Sequence, residues 1–525
     1  MSTPPVVDDP VLALDPQWVA HLAERAVTQP RAETMTSITP LTGRPLAVLP
    51  VSTPQDVHLA FVGSRAAGQA WAHVPLATRS QVLLRFHDLL LRHQVEMLDL
   101  IQLETGKARH HAFDEIVDTA QVARHYARHA SRYLRPRSHP GLIPVLTDVL
   151  ELRHPKGVVG VVAPWNYPLS MGVTDALPAL MAGNAVVVRP DPATSLTMLF
   201  AAELLDRAGL PGRVLQVVLG SGPSVGAAVV QEADHVCFTG STRTGRTVGA
   251  QAGERLVSAT LELGGKNPLY VAADADLDRA VEGAVRACFA SAGQLCVSTE
   301  RLLLHDVIAD DFLAKFVPTV AAMRLGANLT YDADMGSLGG PEQLARVRRH
   351  VENAQAMGAT VLTGARPRPD IGPFFYEPTV LTHVTPEMDV AKEETFGPVV
   401  SVYRVGSDAE AVALANEGEY GLSASVWTAD AIRGRAIGSL IRAGSVNINE
   451  GYAAAYASPS APMGGMGSSG VGRRHGAEGI LAMTEAQTIA TQRLIGVGAP
   501  ARIGQERWAD LITSGLKVMK TLGRH

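Results

Sequence analysis

The chain has 525 residues, of which 46% are hydrophobic and 18% charged, and its formal net charge is −5 at pH 7. This length allows two or three domains around a large buried core, and the charge balance argues against a nucleic-acid-binding surface. Three cysteines, Cys237, Cys288 and Cys296, cannot form a disulfide framework and match no zinc-site spacing, so we expect a reducing, cytoplasmic environment and no metal.

No segment of the sequence indicates export or membrane insertion. The first ten residues include two acidic and no basic residues, whereas a secretory signal begins with a basic region. No uncharged stretch reaches the roughly 18 apolar residues that a membrane span needs. We therefore expect no membrane span.

A helical region is predicted from Thr53 to Tyr133. The segment 135–140 ends it, because its prolines cannot continue the hydrogen-bond ladder of a helix. Residues 142–153 and 484–494 alternate apolar and polar side chains at period two, which predicts exposed hairpin strands. A chain that leaves such strands uncovered usually buries them in a partner subunit.

Short β-branched runs alternate with longer helix-like stretches over much of the chain. The first set of runs is found at 158–162, 185–188, 214–218 and 235–238, and the second at 268–272, 301–304, 398–402 and 424–427. Alternation of strand and helix predicts an α/β protein with parallel sheets covered on both faces. The break near Leu261–Gly265 is a plausible domain boundary.

Cys296 is the first candidate for chemistry. It closes the small-residue segment Ser291-Ala-Gly-Gln-Leu-Cys296, which can bring a thiol into the open, and Glu262 lies 34 residues upstream in Leu261-Glu-Leu-Gly-Gly-Lys-Asn-Pro268. A lone cysteine is more often a small buried hydrophobe. In this context, however, the two residues indicate covalent catalysis, in which the sulfur attacks and the carboxylate later activates water.

Polar residues also follow two strands of the first set. Asn166 lies in the turn Ala163-Pro-Trp-Asn-Tyr-Pro168, where its amide could donate to a developing oxyanion; the simpler interpretation is an Asx-turn that caps the next helix. Gly240 and Ser241 lie at a strand end with a helix after it. They could meet a phosphate at the helix N-terminus, although simple N-capping explains them equally well.

Two further segments have the same ambiguity. Arg189 begins the segment Arg189-Pro-Asp-Pro192 after a strand, and its guanidinium could pair with a phosphate or form a surface salt bridge. Glu394 and Phe396 precede another strand. They could hold ribose hydroxyls and pack on a flat ring, although a phenylalanine in such a place is more often a core residue.

Taken together, the ordered segments APWNYP, FTGSTRTG, LELGGKNP, GQLC and EETFGPVV resemble the aldehyde dehydrogenase superfamily over about residues 40–490. Segments 449–453, 460–467 and 470–479 are more closely similar to actinobacterial-type succinate-semialdehyde dehydrogenases that prefer NADP. The resemblance implies an α/β fold with two doubly wound parallel-sheet domains and a small bridging hairpin that builds homodimers or homotetramers. The implied ranges are a cofactor domain at 1–132 and 155–261, a catalytic domain at 262–478, a bridging element at 133–154 and 479–497, and a tail at 498–525.

The resemblance also implies roles for single residues. Cys296 would be the nucleophile, Glu262 the general base and Asn166 an oxyanion donor, so that an aldehyde becomes a carboxylic acid through a thiohemiacetal and a thioester. The residues implied to hold the dinucleotide are Trp165, Asn166, Arg189, Pro190, Asp191, Pro192, Gly240, Ser241, Leu263, Glu394 and Phe396.

Two departures from the family pattern bear on cofactor and regulation. Members that prefer NAD carry a glutamate at the position of Pro192, and its absence, together with Arg189, favours NADP because a 2′-phosphate would meet no repulsion there. Asp191 keeps NAD as the alternative, since its carboxylate could accept the 2′-hydroxyl. Several semialdehyde dehydrogenases carry a second cysteine where this chain has Ser298, so we expect no disulfide switch.

The substrate expected from the resemblance is succinate semialdehyde, whose distal carboxylate needs a cationic anchor. Arg128 or Arg132, with Ser298 and Ser458, is the candidate anchor, and a solvated basic helix face is the alternative. A broad aliphatic or aromatic aldehyde dehydrogenase is the nearest rival function. A CoA-acylating enzyme fits less well because Glu262 is present, and a non-catalytic protein on the same scaffold is a distant third. The basic, amphipathic tail is expected to dock on the protein's own body, with a membrane surface as the alternative.

Overall fold

The computed structural model describes residues 14–141, 147–493, 496 and 498–521. Residues 142–146 of one predicted hairpin strand, and residue 494 of the other, lie outside the described residues.

The described strands begin with an N-terminal hairpin and are numbered in chain order. They are β1 (Thr34–Ile38), β2 (Pro45–Pro50), β3 (Arg137–Pro140), β4 (Thr147–Pro155), β5 (Val158–Val162), β6 (Ala185–Arg189), β7 (Leu215–Val217), β8 (His235–Thr239), β9 (Ser258–Glu262), β10 (Asn267–Val271), β11 (Thr299–His305), β12 (Thr360–Thr363), β13 (Thr379–Thr382), β14 (Val399–Val405), β15 (Ser423–Trp427), β16 (Ser445–Ile448), β17 (Gly470–Val471) and β18 (Thr484–Gln492).

The helices occupy most of the intervening chain. They are α1 (Pro16–Ala23), α2 (Pro54–Ala72), α3 (Leu76–Arg92), α4 (Gln94–Thr105), α5 (Arg109–Leu134), α6 (Pro168–Val173), α7 (Ala176–Ala182), α8 (Ser195–Arg207), α9 (Ala227–Glu232), α10 (Thr242–Glu254), α11 (Leu277–Phe289), α12 (Asp306–Ala321), α13 (Pro341–Ala356), α14 (Asp389–Lys392), α15 (Asp408–Ala415), α16 (Ala431–Leu440), α17 (Ala453–Tyr456), α18 (Gly476–Leu481) and α19 (Gln505–Thr521).

The predicted helical region is the run of helices α2 to α5. A capping box starts it: Asp56 N–H donates to Thr53 Oγ1 at 3.2 Å, and Thr53 N–H donates to Asp56 Oδ2 at 2.8 Å. Both contacts satisfy backbone donors that a helix N-terminus leaves free. The region ends where Arg135 turns to an extended conformation ahead of a proline, as the sequence predicts.

The first large sheet has the strand order β17-β9-β8-β5-β6-β7, and all of its neighbours are parallel except β17. Its central strand β5 is buried along its whole length. Val162 pairs with Arg189 and with Phe238, and Thr239 pairs with Glu262. The carboxyl ends of four strands therefore meet at one edge, which is where ligands bind in open parallel sheets.

The second large sheet has the order β12-β13-β14-β11-β10-β15-β16 and is parallel except for β12. Its central strands carry a core of apolar side chains against α11, α12 and α13. Two helix-covered parallel sheets in one chain confirm the predicted α/β architecture.

The third sheet is antiparallel, in the order β18-β4-β3. β18 pairs with β4 from Thr484 opposite Pro155 to Gln492 opposite Thr147, and most of β18 is exposed. β3 lies in the segment 135–140, for which the sequence predicted only the end of the helical region. The sheet therefore holds both predicted hairpin strands in contact with each other.

None of the residues of the C-terminal helix α19 is buried. Its apolar side chains at Leu511, Leu516 and Val518 are about half exposed, whereas Trp508, Ile512 and Met519 are partly covered, and docking of this helix on the protein's own body stays a prediction. Among the described residues, none of the helices combines the length and apolarity required to cross a bilayer.

Candidate active site

The loop before Cys296 is held in an unusual backbone conformation. After α11, Ser291, Ala292 and Gly293 have φ values of 51°, 56° and 70°. A Cβ at Gly293 would lie 2.0 Å from the carbonyl oxygen of Gly397, so this position needs glycine. Non-glycine residues in this region cost about 1–3 kcal/mol each, and the surrounding contacts hold the loop there.

Asn267 clamps the backbone on both sides of the thiol. Its Nδ2 donates to the carbonyl oxygens of Cys296 and Ser298 at 2.7 and 2.8 Å, and its Oδ1 accepts from Ser423 N–H at 3.0 Å. Asn267 begins β10, and Ser423 begins β15, the neighbouring strand. The second sheet thus fixes the position of the backbone around Cys296.

Two hydrogen bonds hold Asn166 in place, one to a residue earlier in the chain and one to a residue later in the chain. Its Nδ2 donates to the Gln294 carbonyl at 2.8 Å, and its own carbonyl accepts from Lys107 Nζ at 2.6 Å. Lys107 is buried and pairs with Glu115 at 2.7 Å. An amide nitrogen has two N–H groups, so Asn166 retains one donor beyond its bond to Gln294.

Glu262 ends β9 and is buried, and its Oε1 has no hydrogen-bond partner among the described residues. Gly464 leaves room for this oxygen, because a Cβ there would lie 2.9 Å from it. Burial raises the pKa of Glu262 to about 8, against an opposing effect of Arg474. Arg474 itself is buried and bonded to Asp175 at 2.7 Å. A carboxyl with this pKa is a stronger base than an exposed glutamate.

The Cys296 thiol is partly exposed, whereas Cys237 and Cys288 are buried. Burial, followed by the negative charges of Glu262 and Glu394, raises the pKa of Cys296 to about 12. The resting thiol is therefore protonated near neutral pH, and an attack on a carbonyl needs a neighbouring group to take its proton.

One cavity of about 160 Å³ brings most of the predicted residues together. The predicted site residues that line it are Cys296, Glu262, Asn166, Trp165, Gly240, Ser241, Leu263, Glu394 and Phe396. Sequence reasoning missed Gln343 and Arg346, which reach the cavity from α13. Their three-residue spacing on one helix face was the available signal, but nothing in the sequence indicated that this face meets the cleft.

The wall of the cavity beside the thiol is largely apolar. Tyr167, Met171, Leu295 and Tyr456 line it and belong to a cluster of buried hydrophobic residues against which Cys296 packs. This wall offers a substrate little beyond apolar surface and phenol groups.

Glu394 and Phe396 lie on the opposite side of the cavity. Glu394 Oε1 accepts from Gly265 N–H at 2.9 Å, and burial raises the pKa of this carboxyl to about 7. Phe396 has a φ of 52°, and its N–H donates to Glu300 at 2.9 Å. Its ring meets Trp165 edge-on with centroids 5.8 Å apart. The arrangement leaves a carboxyl and an aromatic edge facing the cleft.

A second cavity, of about 670 Å³, continues from the first and shares Trp165, Gly240 and Ser241 with it. Ser241 caps α10, since its Oγ accepts from Thr244 N–H at 3.3 Å, and it also lines both cavities. Ser241 is therefore both the N-cap of α10 and a residue of the cleft wall. A helix N-terminus beside an open cleft is suited to bind a phosphate.

Arg189 and Asp191 also line the second cavity, whereas Pro190 and Pro192 do not appear on its wall. Arg189 Nε donates to the Gly220 carbonyl at 2.9 Å, and one of its terminal nitrogens lies 3.8 Å from Asp191 Oδ2. Asp191 Oδ1 accepts from Ala193 N–H at 3.1 Å. Arginine donors and a helix N-terminus in one cleft fit an anionic dinucleotide.

The structure does not bring the candidate substrate anchors to the thiol. Arg128 and Arg132 are exposed on α5 and line neither cavity. The opposite face of α5 is the buried one, with Ala123, Tyr126 and Ala130 in the core, so this row of arginines is the solvated face that the sequence left as the alternative.

The two serines are also away from the cavity wall. Ser298 is buried, and its Oγ has no partner among the described residues. The Oγ of Ser458 lies 3.4 Å from that of Ser460. Neither serine lines the cavity that contains Cys296. The described residues also include no group of three or more histidine, cysteine or acidic side chains arranged to hold a metal ion.

Comparison with known proteins gives consistent matches over most of the chain. A model described as "Aldehyde dehydrogenase family" matches residues 27–489. A protein of Mycolicibacterium smegmatis, provisionally named succinate-semialdehyde dehydrogenase (NADP+), is 51% identical over 481 residues, which covers 92% of this chain and 93% of that protein. A Mycobacterium tuberculosis protein with the same provisional name, numbered 2, is 48% identical with the same coverage. Among solved structures, the NAD+ complex of an aldehyde dehydrogenase from Bacillus cereus has a TM-score of 0.85 and 32% identity, covering 91% of this chain and 99% of that one.

Proposed function

This chain belongs to the aldehyde dehydrogenase family, and on that basis we propose that it oxidises an aldehyde to a carboxylic acid with NADP as the hydride acceptor. The observation that carries the proposal is that Cys296, Glu262 and Asn166 line one cavity. A nucleophile, a base and an oxyanion donor around one small space are what acyl-forming chemistry on an aldehyde requires.

The first step is attack of Cys296 Sγ on the aldehyde carbon. A C–S bond forms, the carbonyl oxygen becomes an oxyanion, and the thiol proton passes to the Glu262 carboxylate and on to water. The free N–H of Asn166 and the backbone N–H of Cys296 receive the oxyanion. Loss of one such donor typically costs on the order of 10² or more in rate.

When bound, the nicotinamide ring supplies an acceptor for the hydride that leaves the thiohemiacetal carbon, so that a thioester remains on Cys296. Trp165 and Phe396 bound this side of the cavity and exclude water from it. Glu394, held by Gly265 N–H, would hold the ribose hydroxyls of the bound dinucleotide.

Hydrolysis of the thioester is the second task of Glu262. Its carboxylate takes a proton from a water molecule, the water oxygen bonds to the acyl carbon, and the C–S bond breaks to release the acid and the Cys296 sulfur. The Oε1 atom, unpartnered among the described residues, and the space next to Gly464 support this role, because an oxygen without a protein partner is open to accept a hydrogen bond from water.

Several residues support NADP as the cofactor. The second cavity contains Arg189, Asp191 and the N-terminus of α10. The carboxylate of Asp191 already accepts from Ala193 N–H, so it is less available to a ribose 2′-hydroxyl. The relatives at 48–51% identity carry NADP in their names, which agrees with this assignment.

Succinate semialdehyde is the proposed substrate, and its support is the name of those two relatives. Arg128 and Arg132, the anchors expected for its distal carboxylate, are exposed on α5 and line neither cavity.

The alternative substrate is an apolar aliphatic or aromatic aldehyde, and the wall of the cavity favours it. Tyr167, Met171, Leu295 and Tyr456 surround the thiol, and burial of apolar area contributes about 25 cal/mol per Å² to binding. An isolated carboxylate against this wall would lose hydration without gaining a partner.

An aldehyde panel with both cofactors tests these proposals. We expect kcat/KM for NADP to exceed that for NAD with every good substrate, and kcat/KM for succinate semialdehyde to exceed those for acetaldehyde and benzaldehyde. A preference for benzaldehyde would replace the semialdehyde with the apolar alternative. Absence of reduced cofactor with any aldehyde would contradict the enzymatic proposal itself.

A further inference from the structure

Arg243 is a cationic side chain in the cleft that the chemistry described above does not use. It is the second residue of α10, next to the helix N-terminus capped by Ser241. It is exposed, lines the 670 Å³ cavity, and its guanidinium makes no hydrogen bond or ion pair within the described part of the chain. The residue therefore keeps all of its donors for a ligand.

The position of Arg243 on α10 follows a regular pattern. Thr247 and Gln251 line the same cavity, and they lie four and eight residues after Arg243 on the same helix face. α10 thus presents one polar row to the cleft, with the cation at the end nearest the phosphate-binding N-terminus. Helix-dipole and guanidinium contributions add at that end.

The charges around the cavity show why Arg189 alone is insufficient. Arg189 lies 3.8 Å from the carboxylate of Asp191, and its Nε is committed to the Gly220 carbonyl. Among the charged residues on the wall, Arg189 and Asp191 offset each other, and Arg243 supplies the excess positive charge. Without Arg243, the charges of Arg189 and Asp191 would cancel, and a dianionic phosphate in this cavity would meet no net positive charge. With Arg243, the wall of the cavity carries a net positive charge.

We propose that Arg243 binds the 2′-phosphate of NADP from the α10 side of the cleft, which Arg189 also lines, and is the main determinant of preference for NADP over NAD. This inference rests on the proposed use of NADP and deepens it, since it names the residue that reads the phosphate. Guanidinium groups from two elements, β6 and α10, can each donate charge-assisted hydrogen bonds in this cleft.

Binding of adenosine fragments tests the proposal without the reaction. The purified protein is titrated calorimetrically with 2′,5′-ADP, which carries the 2′-phosphate, and with 5′-AMP, which lacks it. We expect Arg243→Ala to weaken 2′,5′-ADP by at least about tenfold, as loss of a charged hydrogen bond does, and to change 5′-AMP by less than about twofold. Arg243→Lys should retain part of the preference, because it keeps the charge and loses the fork of donors.

Arg246→Ala is the matched control. Arg246 lies on the same helix, one turn further on, but it pairs with Glu419 at 2.8 Å and does not line the cavity. Arg246→Ala removes one positive charge from the same helix, but from a side chain outside the cavity. We therefore expect both fragments to bind as they do to the wild type. Equal losses for Arg246→Ala and Arg243→Ala would indicate a general field effect and would overturn the proposal.

The two remaining outcomes distinguish a failure of the proposed role of Arg243 from a failure of the proposed preference for NADP. If the wild type prefers 2′,5′-ADP and Arg243→Ala keeps that preference, Arg243 is not the reader, and the use of NADP stands. If the wild type binds the two fragments equally, the proposed preference for NADP fails, and the role of Arg243 fails with it. Thermal unfolding of each variant checks that the fold is unchanged.

Discussion

The pair formed by Cys296 and Glu262 has unusual acid–base properties at the scale of single residues. Burial raises the pKa of both groups, to about 12 for the thiol and about 8 for the carboxyl. The thiol is therefore a weak acid, while the carboxylate, once formed, is a better base than an exposed glutamate. A raised pKa of the proposed base, Glu262, reduces the uphill cost of taking the proton from the proposed nucleophile, Cys296.

Replacement of the base tests both of its proposed tasks. We expect Glu262→Gln to slow the burst of reduced cofactor and to lower steady-state turnover by about 10²–10⁴, because both deprotonation of the thiol and thioester hydrolysis lose their base. Stopped-flow absorbance of the reduced cofactor measures both phases. Cys296→Ala is the control and should show neither phase, and unchanged turnover in Glu262→Gln would remove this residue from the mechanism.

The pH dependence follows from the raised pKa of Glu262. The base form is the carboxylate, so its fraction is small at pH 6, rises through the pKa of about 8, and levels off above it. Where hydrolysis limits turnover, kcat should rise by close to tenfold per pH unit below that value. A kcat–pH profile from pH 6 to 9.5 measures this; a profile that is flat from pH 6 upward would contradict it.

At the scale of elements, α5 organises the loop that carries Asn166. Glu115 accepts the N–H groups of Leu169 and Ser170, at 2.9 and 3.1 Å, and so satisfies the free donors at the start of α6. It also pairs with Lys107, which donates to the carbonyl of Asn166. This buried carboxylate therefore connects α5 to α6 and, through Lys107, to Asn166, the proposed oxyanion donor.

Loss of this carboxylate should affect stability and rate together. Glu115→Ala leaves the Lys107 ammonium buried without its partner, which costs about 3–5 kcal/mol, and it frees the turn around Asn166. We expect a lower Tm and a reduced kcat. Glu352→Ala breaks the exposed pair of Arg348 and Glu352 at 3.2 Å and should change stability by less than about 1 kcal/mol.

Equal stability of these two variants would show that the buried pair contributes little. Thermal unfolding and steady-state kinetics on both proteins make the comparison.

At the scale of the whole molecule, the three-stranded sheet leaves one strand largely uncovered. β18 has seven consecutive exposed residues, including Ile489 at 44% exposure. Exposed flat strands associate unless charged or covered, which supports the prediction that the chain forms a homodimer or homotetramer through this sheet.

Assembly should therefore depend on the apolar character of β18. The expected mass of the protein in light scattering is a multiple of the 55.5 kDa chain, and Ile489→Lys should shift it toward the single chain because a buried lysine in an interface lacks a partner. Ile432→Lys is the control, since Ile432 is 77% exposed on α16 away from this sheet. A single-chain mass for the wild type would contradict the prediction.

Sequence reasoning reached far into the fold and the chemistry of the site. The β-branched runs of both sets lie in strands of the two parallel sheets, and the predicted family membership is confirmed. Cys296, Glu262 and Asn166 meet in one cavity, as the motifs implied. Strand periodicity and segment order carry this information because a buried parallel strand requires a continuous apolar run.

What the arginine side chains contact could not be predicted from sequence patterns. Arg128 and Arg132 have the spacing of one helix face, yet that face meets solvent, whereas Arg243 faces the cleft without any distinguishing neighbour in the sequence. Periodicity tells which residues share a face but not what that face contacts.

By itself the sequence determined the kinds of elements, their order and the candidate reacting groups, since these depend on local pattern and residue chemistry. The tertiary structure alone decided which side chains share the cavities and how burial changes their pKa values. The bond from Asn166 to Gln294 joins residues far apart in the chain. Such contacts depend on how whole sheets pack, and no local pattern encodes that packing.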